Sequence, residues 1–383
     1  MTTRVGGVSE SRRDRDGQSP PRRRTSALRR SIRAGVRKTE PMRIPTGDRV
    51  LSSEWLSGAL ATFSDWPHGE LQVLSATRIG IGYGLSGQIH RVVAETARGG
   101  VTSFVVKQDG SSEVERELLF RSNCDERLRG CIAECFGGTS DSRSGRGVLV
   151  LEDVASARQG DVLRGCTDVQ ARAVVRALAR VHAVSWSARE DTSPRSLPRW
   201  RPTPMERDRW ADRLGRARER FPEILNQSLV AEIHDLPDQV ASSVGQLTPG
   251  AVSWIHVDAH LDNVLWRPDG TAVLLDWANA AIGPPEVDLA RFIFEGVVDP
   301  SRPERVGTLV STYAEELQVQ GGRARPKDLL LRLALALPQL WQGVIGWAGR
   351  EDLELTGRPA TVCENALRCL RDWVTMDEYG SPA

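Results

Sequence analysis

The residues of this chain best suited to chemistry lie in one short segment, HVDAHLDN at positions 256–263. Apolar runs precede and follow it, so the segment is predicted to form a loop between two strands. Asp258 and Asn263 lie five residues apart on that loop. This spacing lets a carboxylate accept a hydroxyl proton while an amide oxygen binds a metal ion nearby. The segment therefore predicts chemistry at a hydroxyl group, with Asp258 as the catalytic residue.

A second carboxylate follows on the next hydrophobic run. Residues 272–276, AVLLD, are typical of a buried strand that ends in an acidic residue. Asp276 is placed to bind Mg²⁺ that bridges nucleotide phosphates, because that ion prefers hard oxygen ligands. A zinc site is disfavoured. His256 and His260 have the spacing of the H-E-x-x-H motif, but its glutamate is absent and the segment is predicted to be a loop.

A glycine-rich stretch lies upstream, with Gly82, Gly84 and Gly87 in a G-x-G-x-x-G pattern. In a dinucleotide-binding unit this pattern opens a helix, whereas here a β-branched strand follows. The other use of the pattern is a hairpin lid over ATP, in which backbone N–H groups approach the phosphates with no side chain in between. The stretch thus indicates an ATP phosphate loop, and a plain glycine-rich turn is the alternative.

A lysine ends the strand predicted at 101–107. Lys107 can reach the α- and β-phosphates of a nucleotide if a carboxylate on the next helix holds it in place. Glu113, Glu115 and Glu117 are the candidates on that helix. A solvated lysine is the alternative, but the glycine-rich stretch before Lys107 and the acidic helix after it favour the phosphate role.

The composition is that of a soluble globular enzyme. The chain has 383 residues, 40% hydrophobic and 26% charged, which argues against a disordered chain, a fibre or a membrane channel. The net charge of +1 gives no overall field for nucleic acid or a membrane surface, so neither is expected as a partner. The six cysteines form no C-x-x-C pair and no secretory signal is found, which predicts reduced thiols in the cytoplasm.

Charge and hydropathy single out two further segments. Residues 1–40 hold twelve Arg or Lys and four acids, so residues 1–41 are predicted to be a disordered, dispensable tail, with Met42 as an alternative start. A nucleic-acid-binding arm is disfavoured because no aromatic or fold motif accompanies the charge. Residues 329–348 match a membrane span in length, but they include Arg332 and Pro338, which favours a buried or pocket-lining helix.

The elements that must position these residues fall into two groups. Strands are predicted at 71–79, 88–95, 101–107, 131–137 and 147–151, and helices at 52–63 and 113–128. From residue 167 the pattern is mostly helical, with helices at 205–220 and 229–244 and an embedded strand–loop–strand unit at 250–277. The sequence therefore predicts an α+β protein, with a nucleotide-binding sheet domain at 42–154 and a helical domain at 155–383 that carries the catalytic loop and the acceptor site.

In this order the motifs resemble the aminoglycoside phosphotransferase and choline kinase-like group of small-molecule kinases. That group has a catalytic loop His-Gly-Asp-x-x-x-x-Asn, then Ile-Asp-Trp, Gly-x-Pro and Asp-Leu-Ala. The matching segments here are 256–263, Leu-Asp-Trp at 275–277, Gly-Pro-Pro at 283–285 and Asp-Leu-Ala at 288–290. The resemblance covers about residues 50–375. Val257 and Ala278 depart from it, where glycine and an acidic residue are common.

The resemblance implies a protein-kinase-like fold with two lobes, a small antiparallel-sheet N-lobe and a mainly helical C-lobe. It also implies the catalytic roles. Asp258 would orient the substrate hydroxyl and accept its proton, while Asn263 and Asp276 would hold Mg²⁺. Lys107 would contact the ATP phosphates, with Glu117 as its partner and Glu115 as the fallback.

Two supporting roles follow from the same resemblance. The hinge backbone near Asp153 and Val154 would bind the adenine edge. Three further residues would brace the catalytic loop, namely His256, His260 and Asp288. For His260 this bracing role is preferred to direct contact with the substrate.

The expected function is an ATP-dependent O-phosphotransferase that acts on a hydroxyl of a small molecule, such as an antibiotic or a hydroxylated metabolite. The alternatives are a choline or amino-alcohol kinase and a catalytically silent nucleotide-binding protein. A protein kinase is disfavoured because the D-F-G and A-P-E motifs are absent. Residues 290–383 hold thirteen acids and eleven bases, so this near-neutral region is expected to bind the acceptor through aromatic residues. Trp341 and Trp347 are the candidates, and a position in the core is the alternative for both.

Overall fold

The computed structural model describes residues 42–63, 69–80, 87–186, 197–247, 250–295, 303–352 and 356–374. The predicted N-terminal tail, residues 1–41, lies outside this part of the chain, as do Gly82 and Gly84.

A five-stranded antiparallel sheet forms the first half of the fold, in the order β1-β2-β3-β5-β4. Its strands are β1 Leu71–Ile79, β2 Gln88–Thr96, β3 Val101–Gly110, β4 Cys135–Asp141 and β5 Arg146–Glu152. Runs of β-branched residues favour these strands, and the short turn between β2 and β3 allows a tight hairpin. In β3, Lys107 lies between Ile89 of β2 and Leu149 of β5.

Two helices cover opposite faces of this sheet, α1 Ser53–Phe63 and α2 Ser111–Asn123. Successive strand residues point to opposite faces. Accordingly, Val150 of β5 belongs to one apolar cluster with Leu56 and Leu60 of α1. Its neighbour Leu149 packs with Val114 of α2 in another. The central strands are therefore covered on both faces, whereas β1 at the edge is largely exposed. Helix α2 lies on the face nearer the helical half.

The second half is mainly helical. Its helices are α3 Asp168–Val184, α4 Arg207–Arg220, α5 Gln227–Glu232, α6 Leu236–Leu247, α7 Glu286–Phe294, α8 Pro303–Val319, α9 Pro326–Ala348 and α10 Gly357–Val374. Helix α3 begins with a capping box, in which Thr167 accepts from the N–H of Gln170 and the Gln170 side chain accepts from the N–H of Thr167. The apolar faces of these helices form one large core, which also includes Phe120 of α2.

Short strands within the helical half carry the chemical loops. They are β6 Arg158–Gln159, β7 Ser253–Ile255, β8 Val264–Trp266, β9 Ala272–Leu274 and β10 Ala281–Gly283. Strand β8 pairs with β6 and β9, and β7 pairs with β10. Because Val264 lies opposite Leu274, the residues just outside this pair, Asn263 and Leu275, are also neighbours.

Two helices differ from the sequence prediction. The helix predicted at 113–128 ends at Asn123, because Asp125 accepts from the N–H of Arg127 and starts a separate turn of 3₁₀ helix. The helix predicted at 229–244 is two helices, α5 and α6. Pro237 lies at the second position of α6, where its missing N–H costs nothing, whereas in the interior of one continuous helix it would break the backbone hydrogen bonds.

Helix α9 is the apolar stretch that matches a membrane span. Among the described residues it is the one helix that is long and apolar enough to cross a membrane, and half of its apolar window is buried within the fold. Leu333, Leu337 and Ile345 belong to the large core. The buried half of α9 therefore serves as a core helix of this fold.

Candidate active site

Lys107 connects three elements that are distant in sequence. Its Nζ donates to Asp276 Oδ1 at 2.7 Å and to Glu117 Oε2 at 3.1 Å. A third carboxylate oxygen, Oδ2 of Asp109, lies 3.5 Å away. The end of β3, helix α2 and the turn after β9 therefore meet at one buried cation, and Glu117 is the partner that the sequence favoured. The fallback, Glu115, instead accepts from the Ser140 hydroxyl at 2.9 Å.

Charge compensation keeps this buried group ionised. Burial alone would raise the pKa of Glu117, but Lys107 and Arg121 outweigh it and hold the pKa at about 2. Arg121 donates to Glu117 Oε1 from both Nε and Nη2, at 3.1 and 2.7 Å. Burial likewise acts to lower the pKa of Lys107, but Glu117 and Asp276 outweigh it and raise that pKa above its usual value. Lys107 is therefore a permanent cation where β3, α2 and the turn after β9 meet.

Helix α2 contacts the turn after β9 through two of its side chains. Phe120 stacks on Trp277 with ring centroids 3.8 Å apart and planes within 9°. Arg116 donates to the carbonyl of Ala278 at 3.2 Å. Since Trp277 and Ala278 directly follow Asp276, these contacts fix Glu117 relative to Asp276 across the two halves.

The catalytic loop is shaped by a fully buried carboxylate. Asp288 accepts from the backbone N–H of His256 at 2.6 Å and of Val257 at 2.7 Å. It also contacts Nε2 of His182 at 3.1 Å, and Nδ1 of that ring lies 2.9 Å from the hydroxyl of Tyr313. Two consecutive N–H groups that point at one carboxylate impose a sharp turn. Val257 therefore adopts a φ of 69°, a left-handed conformation that is unusual for a β-branched residue.

His256 braces the loop from inside. It is fully buried, its Nε2 donates to the carbonyl of Leu275 at 2.6 Å, and its Nδ1 accepts from the N–H of Asp258 at 3.3 Å. Its ring lies 4.5 Å from that of Trp277. The imidazole thereby joins the loop that carries Asp258 to the strand end that carries Asp276.

Asp258 has about three-tenths of its side chain exposed. Its Oδ2 lies 3.3 Å from Nδ2 of Asn263 and 3.6 Å from Nε2 of His260. Its Oδ1 accepts from Nη2 of Arg291 at 2.8 Å. Burial favours the neutral acid, but Arg291 and His260 outweigh it and lower the pKa of Asp258 well below its usual range. Asp258 is therefore a carboxylate at every ordinary pH.

Asn263 and Asp276 supply oxygen atoms at neighbouring strand ends. The carbonyl of Asn263 accepts from the N–H of Leu275 at 2.9 Å, which holds the two loops together. The Asn263 amide nitrogen donates to the carbonyl of Asp258 at 2.9 Å, so the amide oxygen is the atom left to act as a ligand. The side chain of Asp276 is 37% exposed. This pair fits a hard divalent cation, because one carboxylate and one amide oxygen leave room for waters and phosphate oxygens.

The residues predicted to contact the nucleotide are placed as follows. Gly87 has a φ of 78°, and a Cβ there would lie 2.8 Å from the carbonyl of Gln108, so only glycine fits. The carboxylate of Asp153 pairs with Nε of Arg91 at 2.9 Å. Val154 packs with Val273, and its carbonyl accepts from the N–H of Ala157 at 2.9 Å. The contact of this hinge with adenine stays a prediction.

One predicted acceptor residue is wrongly assigned to the surface of the site. Trp341 is only 2% exposed and belongs to the large core, because it faces the inner side of α9 among apolar helices. The structure thus gives Trp341 a packing position in place of the predicted acceptor wall. Trp347 is partly buried against the same core, and its role in acceptor binding stays a prediction.

Sequence reasoning missed three residues that shape the site. Arg291 contacts Asp258, Arg121 holds Glu117, and Arg358 pairs with Asp262 through Nη2 at 2.7 Å. Arg291 could have been found, because it lies one helical turn after Asp288 and side chains at i and i+3 share a face. Arg358 left no comparable signal, since it comes from α10, far along the chain.

The chain matches one protein family and several solved structures. The profile of the phosphotransferase enzyme family (APH) matches residues 84–329, more than half of the chain. A search of curated protein sequences finds no match.

Among solved structures, the chain is similar to a candidate aminoglycoside phosphotransferase from Ralstonia eutropha, with 16% identity and a TM-score of 0.53 over 84% of this chain and 98% of that one. An amicoumacin kinase in complex with AMP-PNP, Ca²⁺ and Ami has 12% identity and a TM-score of 0.50, over 78% and 88% of the two chains. A choline kinase from Streptococcus pneumoniae has 18% identity and a TM-score of 0.46, over 78% and 93%.

The fold is therefore the α+β, protein-kinase-like one that the sequence predicted. The chain belongs to the phosphotransferase enzyme family and is a small-molecule kinase.

Proposed function

We propose that this kinase transfers the γ-phosphate of ATP to a hydroxyl of a small molecule, such as an antibiotic or a hydroxylated metabolite, with Mg²⁺ as the metal. One observation carries the proposal. Lys107 forms ion pairs with both Glu117 and Asp276, which supports a role for Lys107 in phosphate binding next to a role for Asp276 in metal binding. The amicoumacin kinase bound to AMP-PNP and Ca²⁺ is consistent with a nucleotide and a divalent cation.

Each residue of the candidate active site has its own role. Lys107 binds the α- and β-phosphates, and Glu117 and Arg121 keep it fixed and charged. Asn263 and Asp276 would hold Mg²⁺, which when bound neutralises charge on the phosphates. A permanently charged site of this kind lowers the cost of bringing a nucleophile to a polyanionic phosphate.

Asp258 acts mainly by positioning the acceptor. Its lowered pKa makes it a weak base, because a carboxylate beside Arg291 holds protons poorly. Phosphoryl transfer has a loose transition state, so the acceptor hydroxyl needs to lose little of its proton before the bond between the γ-phosphate and ADP breaks. A hydrogen bond from the acceptor hydroxyl to Asp258 therefore fixes the line of attack, and the carboxylate takes the proton late.

The metal assignment is tested with the Asp276→Asn variant. Since this change removes one ligand charge, the Mg²⁺ concentration that gives half-maximal ADP release should rise about tenfold. The control is Asp269→Asn, which changes an exposed carboxylate that caps the turn of the same hairpin. Equal Mg²⁺ dependence of wild type and Asp276→Asn would place the metal site elsewhere.

A further inference from the structure

Arg291, on the last turn of α7, extends its guanidinium between two carboxylates. Nη2 lies 2.8 Å from Oδ1 of Asp258, and Nη1 lies 3.0 Å from Oε1 of Glu295. The side chains of Arg291 and Asp258 are partly exposed, at 27% and 29%, and that of Glu295 is 11% exposed. Arg291 therefore lies directly beside Asp258, the group that an acceptor hydroxyl must approach.

The hydrogen bonding of Arg291 is not that of an arginine kept for stability alone. Its Nε is buried and, within the part of the chain that the structure describes, has no hydrogen-bond partner. A buried donor without a partner is destabilising. Among the described residues Oε1 of Glu295 also has no hydrogen-bond partner, so the guanidinium is held mainly by its ion pair with Asp258, which indicates a role in the site.

The charge pattern has a consequence for the acceptor. Burial raises the pKa of Glu295, so the charge that Arg291 balances is chiefly that of Asp258, whose carboxylate alone would suit a substrate that carries an ammonium group. With Arg291 in place, the protein supplies that cation itself. A second cation brought by a substrate would be repelled at short range, where Coulomb forces are screened least.

We propose that Arg291 sets acceptor specificity by occupying the place of a substrate cation, so that the acceptor is neutral or anionic next to the phosphorylated hydroxyl. This inference rests on the proposed function of the same cleft, and it disfavours the choline or amino-alcohol alternative. The chemical class is a hydroxyl compound with oxygen-containing neighbours or an acidic group near the reacting hydroxyl, in place of an amine.

The first test does not depend on catalysis. Ethylguanidinium, which mimics the arginine side chain, is titrated against the full chain while the melting temperature is measured. Ethylguanidinium should raise the melting temperature of Arg291→Ala in a saturable way. It should not change the melting temperature of the wild type or of the control Arg368→Ala, which removes the arginine of another i,i+4 pair with a glutamate. If Arg291→Ala does not fold, Arg291→Gln replaces it. The same response in all three proteins would overturn the proposal.

The second test uses pairs of hydroxyl compounds, each an amine and its N-acetyl derivative, with phosphorylated product measured by mass spectrometry. Wild type should favour the N-acetyl member, and in Arg291→Gln that preference should fall by about tenfold. Arg291→Lys, which keeps the charge, should retain it. A wild-type preference for the amine would overturn the proposal. Absence of product from every pair would count against the proposed function, and the ethylguanidinium titration would still decide the role of Arg291.

Discussion

At the scale of single residues, the ion pair between Lys107 and Glu117 makes the stability of the fold depend on pH. The pKa of Glu117 is held at about 2, so its charge stabilises the fold above its ordinary pKa of 4.5 and this contribution is lost as the pH falls towards 2. The shift corresponds to about 3 kcal/mol of unfolding free energy. Glu117→Gln should therefore be less stable than wild type by that order at pH 6.

The measurement is urea unfolding of both proteins between pH 6 and pH 2.5. Because every other carboxylate titrates in both proteins, the difference between them isolates Glu117. It should narrow steadily below about pH 4.5. A difference of constant size over the whole range would show that the Glu117 charge does not stabilise the fold.

Val257 gives a second test at this scale. A left-handed φ costs a residue with a Cβ about 1–2 kcal/mol, whereas glycine adopts it freely. Val257→Gly should therefore be more stable than Val257→Ala by about 1 kcal/mol, the reverse of the order at most sites. Chemical unfolding of the two variants checks this. If Val257→Ala is equally or more stable, the N–H groups bound to Asp288 do not force the turn.

The sequence identified the residues that belong to short local motifs. Asp258, Asn263 and Asp276 lie next to strands whose apolar pattern is clear, so their loop positions could be predicted. The strain at Val257 could not, since it depends on Asp288, which comes from another element. Arg291 was missed because an arginine in a helix is ordinarily a surface residue, although its position one turn after Asp288 put it on the same helix face.

At the scale of secondary structure elements, helix α2 links the sheet to the turn after β9, which carries Asp276, through the stack of Phe120 on Trp277. Phe120→Ala should lose about 3–5 kcal/mol of unfolding free energy, as buried aromatic truncations do. It should also raise the KM for ATP, because Glu117 lies one turn away on the same helix and would no longer be fixed against Asp276.

The matched control is Leu367→Ala, a fully buried residue of α10. It should be destabilising by about 2–5 kcal/mol without changing the KM for ATP. Kinetic measurements at a temperature where both variants are folded separate the two effects. If Phe120→Ala and Leu367→Ala give the same KM for ATP, then the stack on Trp277 is a packing contact only.

Strand pairing was more predictable than helix ends. The antiparallel sheet follows largely from β-branched runs, and four of its five strands begin within one residue of the prediction, whereas β4 begins and ends four residues later than predicted. The end of α2 and the break between α5 and α6 depended on single residues, Asp125 and Pro237, whose effect competes with a continuous apolar pattern. The sequence left open whether Trp341 lies in the core or at the acceptor site, since α9 is apolar on more than one side.

At the scale of the whole molecule, the candidate active site is formed by residues from both halves of the fold. The sheet contributes Lys107, helix α2 contributes Glu117, and the embedded short strands hold Asp258, Asn263 and Asp276. Phe120 joins the large core of the helical half, so the two halves share packing where the chemical groups meet. This arrangement fits an enzyme that binds a nucleotide on one side and an acceptor on the other.

The central claim is that Asp258 in this cleft directs phosphate from ATP to a hydroxyl. It is tested most directly by mass spectrometry of reactions that contain ATP, Mg²⁺ and a panel of hydroxyl compounds, with wild type, Asp258→Asn and the control Asp269→Asn. Wild type and Asp269→Asn should add one phosphate group to the same compound, and Asp258→Asn should form it at a rate lower by about a hundredfold or more. Equal product from Asp258→Asn, or ATP consumption with no phosphorylated compound in any reaction, would contradict the claim.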